Sequence, residues 1–524
     1  MKNLILSFFC FSLLSFSCAK KRGSQGDPVS VTPVIPVINT SLLQNHLGIN
    51  AFEWDFSDND NTVISDGKMN VIKSFGGFRH YLDWDKLESE EGKYTFNPVH
   101  SGGWNYDMIY AKCKAEGIEV LSCIKNCPTW LVNTYPVDQR DAENVPAPYG
   151  LDRSDPASYI KEARVAFQFA ARYGHTTNVD PTLLSVNTAQ RWNGDPINQV
   201  KIGLGYINYI ECDNERDKWW KGAKAQQSPE EYAANMSAFY DGHLGKLGKN
   251  VGVKTADPTM KVVMGGLATP DVNFVIKMIE WCRKNRGLKA DGSVNLCFDV
   301  INYHNYSNNS TVSQGSTAGR APELSPAAKT ADGFIAMAKE KANGTEVWLT
   351  EAGYDINTSS PQRAIKIGNK SVLITQADWM LRTALLNVRH GLKRSFFYML
   401  DDVDVNSTIQ YSSSGFAVGQ VRRPVADYFL QTKKLMGNFQ YQETISTDPT
   451  VDIYALNTRR IYVLSIPDQV GRTKLYELDL GASKAATAYT LAPGGSEMIA
   501  EKLVTVNGKL KITVTETPIF IEKE

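Results

Sequence analysis

The sequence predicts an α/β chain, a closed (β/α)8 TIM barrel followed by a small C-terminal antiparallel β-sandwich. Three observations predict it. Eight short apolar runs alternate with helical stretches between residues 41 and 435. Most of these runs are continuous rather than alternating, as expected of parallel strands buried on both faces. From residue 436 the texture changes to short strands separated by turn residues, a sign of antiparallel β structure. A doubly wound open sheet is the alternative for the first part. It would usually carry a glycine-rich phosphate-binding turn, and the chain has none.

The predicted barrel strands are residues 47–50, 74–81, 119–124, 206–210, 261–264, 298–303, 346–350 and 395–399. Between them, Ser228-Pro229-Glu230-Glu231 is a capping box with proline at the first helical position. Asp155-Pro156 and Ser325-Pro326 are similar helix starts. Leu373, Ala377, Leu381, Ala384 and Val388 form one apolar helical stripe. In the C-terminal part, residues 452–456, 460–464 and 475–478 read as strands. Residues 504–514 read as a hairpin around Asn507-Gly508, and Thr517-Pro518-Ile519-Phe520 opens the last strand.

The N-terminus reads as a targeting segment. A short basic start precedes an apolar run from Leu4 to Phe16, too short to span a bilayer but suited to a signal peptide. The run ends in Leu14-Ser15-Phe16-Ser17-Cys18, which resembles a bacterial lipobox. Residues 1–18 are therefore expected to be a lipoprotein signal peptide, with Cys18 acylated and the chain tethered to a bacterial envelope without spanning it. Residues 19–40, broken by Gly23, Gly26, Pro28, Pro33 and Pro36, read as a flexible linker. Cys113, Cys123, Cys127, Cys212, Cys282 and Cys297 are spread through the barrel, so no disulfide framework is dictated.

Composition narrows the function. The chain has 524 residues with 56 Lys plus Arg against 56 Asp plus Glu, and this balance argues against a protein that works by blanketing nucleic-acid phosphates. A hydrophobic fraction of 42% supports a large core. Ten Trp, 23 Tyr and 21 Phe suit stacking on sugar faces as well as ordinary packing. Cys123 and Cys127 have no completing His or Cys pair, so no metal is expected, and no nucleotide or flavin motif stands out. No cofactor is expected.

The chemistry is expected where barrel strands end. The fourth strand runs into Glu211-Cys212-Asp213-Asn214-Glu215, and the seventh into Thr350-Glu351-Ala352-Gly353. Two carboxylates on strands facing across a barrel mouth are the kit that glycoside cleavage needs: an acid for the leaving oxygen and a carboxylate on the other face of the sugar. Trp54, Trp130, Trp219 and Trp220 follow strand ends and are candidates for sugar stacking; Trp348, inside a strand, reads as packing. Glu53 and Asp55 are weaker candidates for sugar hydroxyls.

Asn214-Glu215 and Thr350-Glu351, with Arg79, Pro128-Thr129-Trp130 and Tyr303-His304-Asn305-Tyr306, resemble the motifs of glycoside hydrolase clan A. The stretch from Arg79 to Trp84 followed by Glu88, Gly92 and Tyr94 is similar to families 39 and 5 of that clan. The resemblance covers residues 47 to about 402. It implies a retaining glycosidase acting on a β-linked poly- or oligosaccharide, with Glu215 as general acid/base and Glu351 as nucleophile. It also implies Arg79, Asn214, His304 and Tyr306 as substrate-binding or supporting residues. The chain departs from the pattern at Cys212-Asp213, where an aromatic usually stands, and after the eighth strand, where Tyr398-Met399 replaces the usual Trp. Two other readings use the same residues: an envelope-anchored carbohydrate-binding protein without hydrolytic activity, and a transglycosylase.

Overall fold

The computed structural model describes residues 41–310 and 315–524. The expected signal segment with Cys18 and the whole of the expected linker lie outside the described residues. Eight strands, β1 (Gly48–Ala51), β2 (Gly77–Asp83), β3 (Glu119–Lys125), β4 (Tyr209–Cys212), β5 (Lys261–Met264), β6 (Val300–His304), β7 (Glu346–Glu351) and β8 (Arg394–Phe397), close into a parallel barrel in chain order. The closure is the β1–β8 pair, with Gly48 opposite Phe396 and Ile49 opposite Phe397. All eight predicted strands are present, with ends displaced by a few residues.

Along the strands the barrel interior changes from apolar to polar. Leu121, Val263, Val300, Trp348 and Phe396 form one buried cluster with Tyr209 packed against it, so Trp348 is barrel filling. Gly48 and Gly77 make room for the Phe396 ring: a β-carbon on Gly48 would lie 2.5 Å from that ring, and one on Gly77 3.0 Å. Further along, the buried inward-facing residues are Asn50, Arg79, Cys123, Glu211, Asn302 and Thr350. Polar side chains in a barrel interior must find partners there, and these do so at the site described below.

Helices cover the barrel as their start signals predict. In Pro229–Asp241 the Ser228 hydroxyl accepts from Glu231 N and the Glu231 carboxylate accepts from Ser228 N. The helix Val372–Arg389 buries the stripe from Ala377 to Val388. No helix among the described residues is long and apolar enough to cross a membrane.

After β8 come a two-residue-per-strand hairpin, β9 (Ala417–Val418) and β10 (Val421–Arg422), and the helix Pro424–Met436. Then follow β11 (Gln440–Thr447), β12 (Thr450–Leu456), β13 (Arg459–Ser465), β14 (Lys474–Asp479), β15 (Ala485–Thr490), β16 (Ile499–Val504), β17 (Lys509–Val514) and β18 (Ile519–Lys523). Six of them form an antiparallel sheet in the order β11-β12-β13-β18-β15-β16, and β14 pairs with β17. Tyr441, Tyr454, Ile461, Val463 and Phe520 join the barrel's core, while Val451, Ile453, Tyr462, Leu464 and Ile521 pack with Leu478, Leu510, Ile512 and Val514. The large sheet is thus covered on both faces.

The expected hairpin at 504–514 requires correction. The tight turn is there: Asn507 and Gly508 have φ of 53° and 75°, and Val506 bridges Lys509. Its arms part, however: β16 pairs with β15, and β17 with β14. In β17, Leu510, Ile512 and Val514 alternate with exposed residues and turn to the sandwich core, whereas β16 is nearly all exposed. Burial of the β17 face wins over continuation of the local ladder.

Candidate active site

The polar layer of the barrel is organised around Arg79 on β2. Its guanidinium is fully buried and bidentate to Glu211 on β4, with Nε to Oε2 at 2.6 Å and Nη2 to Oε1 at 2.9 Å. Nη1 donates to Glu351 Oε1 and to Asn50 Oδ1, both at 2.8 Å, and Nη2 donates to Asn214 Oδ1 at 2.8 Å. A planar fork serving several acceptors is what guanidinium offers and ammonium does not. One arginine thereby joins residues from β1, β2, β4 and β7. Glu211 also accepts from Gly266 N at 3.2 Å and Asn302 Nδ2 at 3.0 Å.

Glu351 ends β7. Its Oε1 accepts from Arg79 and from the Tyr81 hydroxyl, and its Oε2 from the Tyr306 hydroxyl at 2.8 Å. Burial opposes its ionisation, but His304, Arg79 and the two phenols outweigh that and hold its pKa down to about 2. Glu351 is an anion throughout the ordinary pH range.

His304 ends β6 and stands between the two carboxylates. Its Nδ1 is 2.8 Å from Glu215 Oε1 and 3.6 Å from Glu351 Oε2, and its Nε2 is 3.0 Å from Thr350 Oγ1. Burial favours neutral imidazole, yet Glu351 and Glu215 together raise its pKa above the usual value. The ring fits because residue 266 is glycine: a β-carbon there would lie 2.1 Å from His304 Nε2. Glu215, His304 and Glu351 offer donor atoms all within 4.8 Å of one another, a cluster that could also ligate a metal. Each of the three is already engaged by the partners above, and Arg79 supplies positive charge beside it.

Two backbone irregularities aim these groups. Between β6 and β7 the register shifts, so that Tyr303 faces Leu349 but His304 faces Glu351. The extra residue, Thr350, lets both it and Glu351 meet His304, which strict alternation would forbid. After β4, Asp213 and Glu215 have φ of 65° and 52°. Asp213 is tied to the buried Arg216, with Nε to Oδ2 at 2.5 Å, and accepts from Asn214 N at 2.6 Å. Glu215 N donates to Gly266 O at 3.0 Å. Asp213, a departure from the resembled pattern, thus braces the loop that carries Asn214 and Glu215.

A cleft of about 420 Å³ opens above these residues, with Glu215, Glu351, Asn214, Tyr306 and Tyr398 in its wall. Tyr398 follows β8 where the usual Trp is missing, and Tyr411 packs on Tyr306 with ring centroids 4.2 Å apart. Trp219 and Trp220 line the cleft half-exposed, edge to face. Two of the sequence candidates lie elsewhere. Trp130 is not a cleft residue: its indole N donates to Glu88 O at 2.8 Å and its ring meets Trp84 edge-on. Trp54 stacks on Phe52 at 4.3 Å, outside the cleft wall. Glu53 and Asp55 are buried and spoken for, by His80 and Lys86 and by Phe52 N respectively.

Sequence reasoning missed Glu211, Tyr81, Tyr398 and Tyr411. Glu211 had a signal: a carboxylate inside a buried strand demands a charged partner.

A closed parallel eight-stranded barrel followed by antiparallel β structure is also the fold of glycoside hydrolases among the solved structures. No protein-family model and no curated protein matches the sequence. Among solved structures the chain is similar to a family 39 glycoside hydrolase from the gut symbiont Bacteroides cellulosilyticus WH2, with a TM-score of 0.61, 17% identity, and coverage of 92% of this chain and 82% of that one. It is also similar to the catalytic domain of family 30 xylanase C from Talaromyces cellulolyticus (TM-score 0.53, 10% identity, 93% and 98% covered). A family 30 subfamily 8 xylanase from Clostridium acetobutylicum gives a TM-score of 0.52 at 11% identity, with 93% and 97% covered.

Proposed function

We propose that the chain is a retaining glycoside hydrolase that cleaves β-linked poly- or oligosaccharides by double displacement. The observation that carries this reading is the meeting of Glu215 and Glu351 in one cleft, with an oxygen of each within 4.8 Å. Carboxyls about 5 to 5.5 Å apart suit direct attack on the sugar, whereas inverting enzymes need a wider gap for water. In the first step Glu351 attacks the anomeric carbon, the glycosidic C–O bond breaks, and Glu215 gives its proton to the leaving oxygen. In the second, Glu215 takes a proton from water, whose oxygen attacks the same carbon and releases Glu351. Two inversions return the starting configuration.

The supporting groups have matching roles. Arg79, Tyr81 and Tyr306 keep Glu351 ionised and fixed in direction. His304 shares a hydrogen bond with Glu215 and can relay its proton. Asn214, held by Arg79, is set to donate to a hydroxyl beside the reacting carbon. Trp219 and Trp220 supply flat apolar faces at the cleft edge. Similarity of fold to two xylanases supports a β-linked polysaccharide as substrate. The Leu4–Cys18 segment supports an exported, lipid-anchored enzyme.

The test is turnover of aryl β-glycosides and a polysaccharide panel by the chain and by Glu351→Gln, with the first product's anomer followed by NMR. Loss of turnover in the variant and a first product of unchanged configuration are expected. An inverted product, or an active Glu351→Gln, would overturn the mechanism.

A further inference from the structure

One cation in the cleft makes no direct ion pair among the described residues, although its charge reaches Glu143 at longer range. Lys125 is the last residue of β3 and lines the cleft. Its ammonium lies 4.2 Å from the centre of the Tyr81 ring, whose hydroxyl donates to Glu351. It forms no ion pair and no side-chain hydrogen bond among the described residues. The cleft's carboxylates are taken by others, Glu351 by Arg79 and the two phenols, and Glu215 by His304.

The neighbouring rim is short of negative charge as well. Lys218 pairs with Glu143 at 3.2 Å, Lys221 with Glu143 at 2.9 Å and Asp141 at 3.2 Å, and Lys224 with Asp141 at 3.3 Å. Three lysines share two carboxylates there, and Lys125 is a fourth cation beside them. Burial, with the charges of Arg216 and Lys125 added against the pull of Glu143, pushes the Lys218 ammonium down to about 8. Among these six side chains cations outnumber carboxylates four to two. A neutral sugar entering the cleft would offer Lys125 hydroxyl acceptors but no counter-charge; an anionic one would supply both.

We propose that the cleft takes a glycan bearing an anionic group, a hexuronate carboxylate or a sulfate ester, that pairs with Lys125. This rests on the glycosidase reading and narrows its substrate class. The test compares kcat/KM of the full chain on 4-nitrophenyl β-D-glucuronide, the 6-O-sulfated β-D-glucoside and the plain β-D-glucoside, then repeats it for Lys125→Met and Lys125→Arg. A charged pair lost from a partly buried site reduces the anionic-to-neutral ratio by roughly ten- to a hundredfold. The expected result is such a fall in Lys125→Met, with Lys125→Arg retaining most of the preference. Preference for the glucuronide identifies a carboxylate, and preference for the sulfated glycoside identifies sulfate. A ratio that Lys125→Met leaves unmoved, or cleavage confined to the neutral glycoside, would overturn the proposal while leaving the glycosidase reading intact.

Calorimetry on the Glu351→Gln chain with an oligoglucuronide, a sulfated oligosaccharide and a neutral cello-oligosaccharide gives a readout independent of turnover. Tighter binding of an anionic ligand, weakened by salt, supports the proposal even if neither aryl glycosides nor the polysaccharide panel is cleaved, the outcome that would sink the glycosidase reading alone. Equal or weaker binding of both anionic ligands would refute it.

Discussion

Replacing Tyr306 by Phe removes one hydroxyl from Glu351 and keeps the ring that packs on Tyr411. The lost contact is a 2.8 Å hydrogen bond to a buried carboxylate. Hydrogen bonds to charged groups contribute about 1.5 to 3 kcal/mol. At 1.36 kcal/mol per pKa unit, that corresponds to a rise of roughly one to two units. Glu351, now held at about 2, should therefore titrate at roughly 3 to 4 in the variant. The direction also fixes the effect on stability. A carboxylate held below its ordinary 4.5 stabilises the fold above that pH, and the contribution is lost as pH falls through about 2. In the variant it is smaller and lost nearer neutrality. The assay is the acid limb of kcat/KM, with thermal unfolding followed at each pH and the ¹³C carboxyl shift of Glu351 as a turnover-independent check. An acid limb and carboxyl shift that stay where they are in the parent chain would refute this account of how the nucleophile is kept ionised.

The other predictions follow from the same network. Glu211→Gln leaves Arg79 with one buried carboxylate instead of two and should destabilise the chain by about 3 kcal/mol, measured by chemical or thermal unfolding; Glu351 still faces the cation, so removal of the partner is not complete. Because the guanidinium then acts on Glu351 undivided, the acid limb should not move upward, in contrast to Tyr306→Phe. Gly266→Ala sets a methyl 2.1 Å from His304 Nε2 and forces the imidazole from its place between Glu215 and Thr350. A displacement of that order near the reacting groups costs roughly a hundredfold in kcat, and the histidine NMR signals of the variant should report the altered ring environment.

Much of the barrel was legible because its physics is local. A strand buried on both faces has to be apolar along its length, and residues 119–124, 261–264 and 346–350 are such runs. Glu215 and Glu351 were legible for the complementary reason: a carboxylate just beyond such a run stands at the barrel mouth. What escaped depends on contacts between distant segments. Glu211 looks like part of a strand until Arg79 arrives from β2. Trp130 has the sequence position of a platform, but Trp84 and Glu88 O capture it from the short helix that follows β2. The Asn507-Gly508 turn was read correctly as a turn and wrongly as a hairpin, because turn chemistry fixes the bend and the burial of Leu510, Ile512 and Val514 fixes the partners. Strands β11 and β16 are polar or exposed along most of their length and present no two-residue pattern to read.

The same distinction explains why the candidate site needs irregular backbone. On a regular strand, side chains alternate, so Thr350 and Glu351 would face opposite ways and only one could meet His304. The register shift beside Tyr303 removes that restriction. The loop after β4 meets a second restriction: Asn214 must point down to Arg79 while Glu215, the very next residue, reaches across to His304. Left-handed backbone at Asp213 and Glu215 makes that turn in the space available. Non-glycine residues there cost on the order of 1 to 3 kcal/mol each and persist only where the surroundings hold them. The Asp213–Arg216 pair and the Glu215 N to Gly266 O bond are those holds. The strain, the braces and the carboxylate thus form one unit. Asp213, which looks like a departure in the linear pattern, lets Asn214 and Glu215 serve two different partners from adjacent positions.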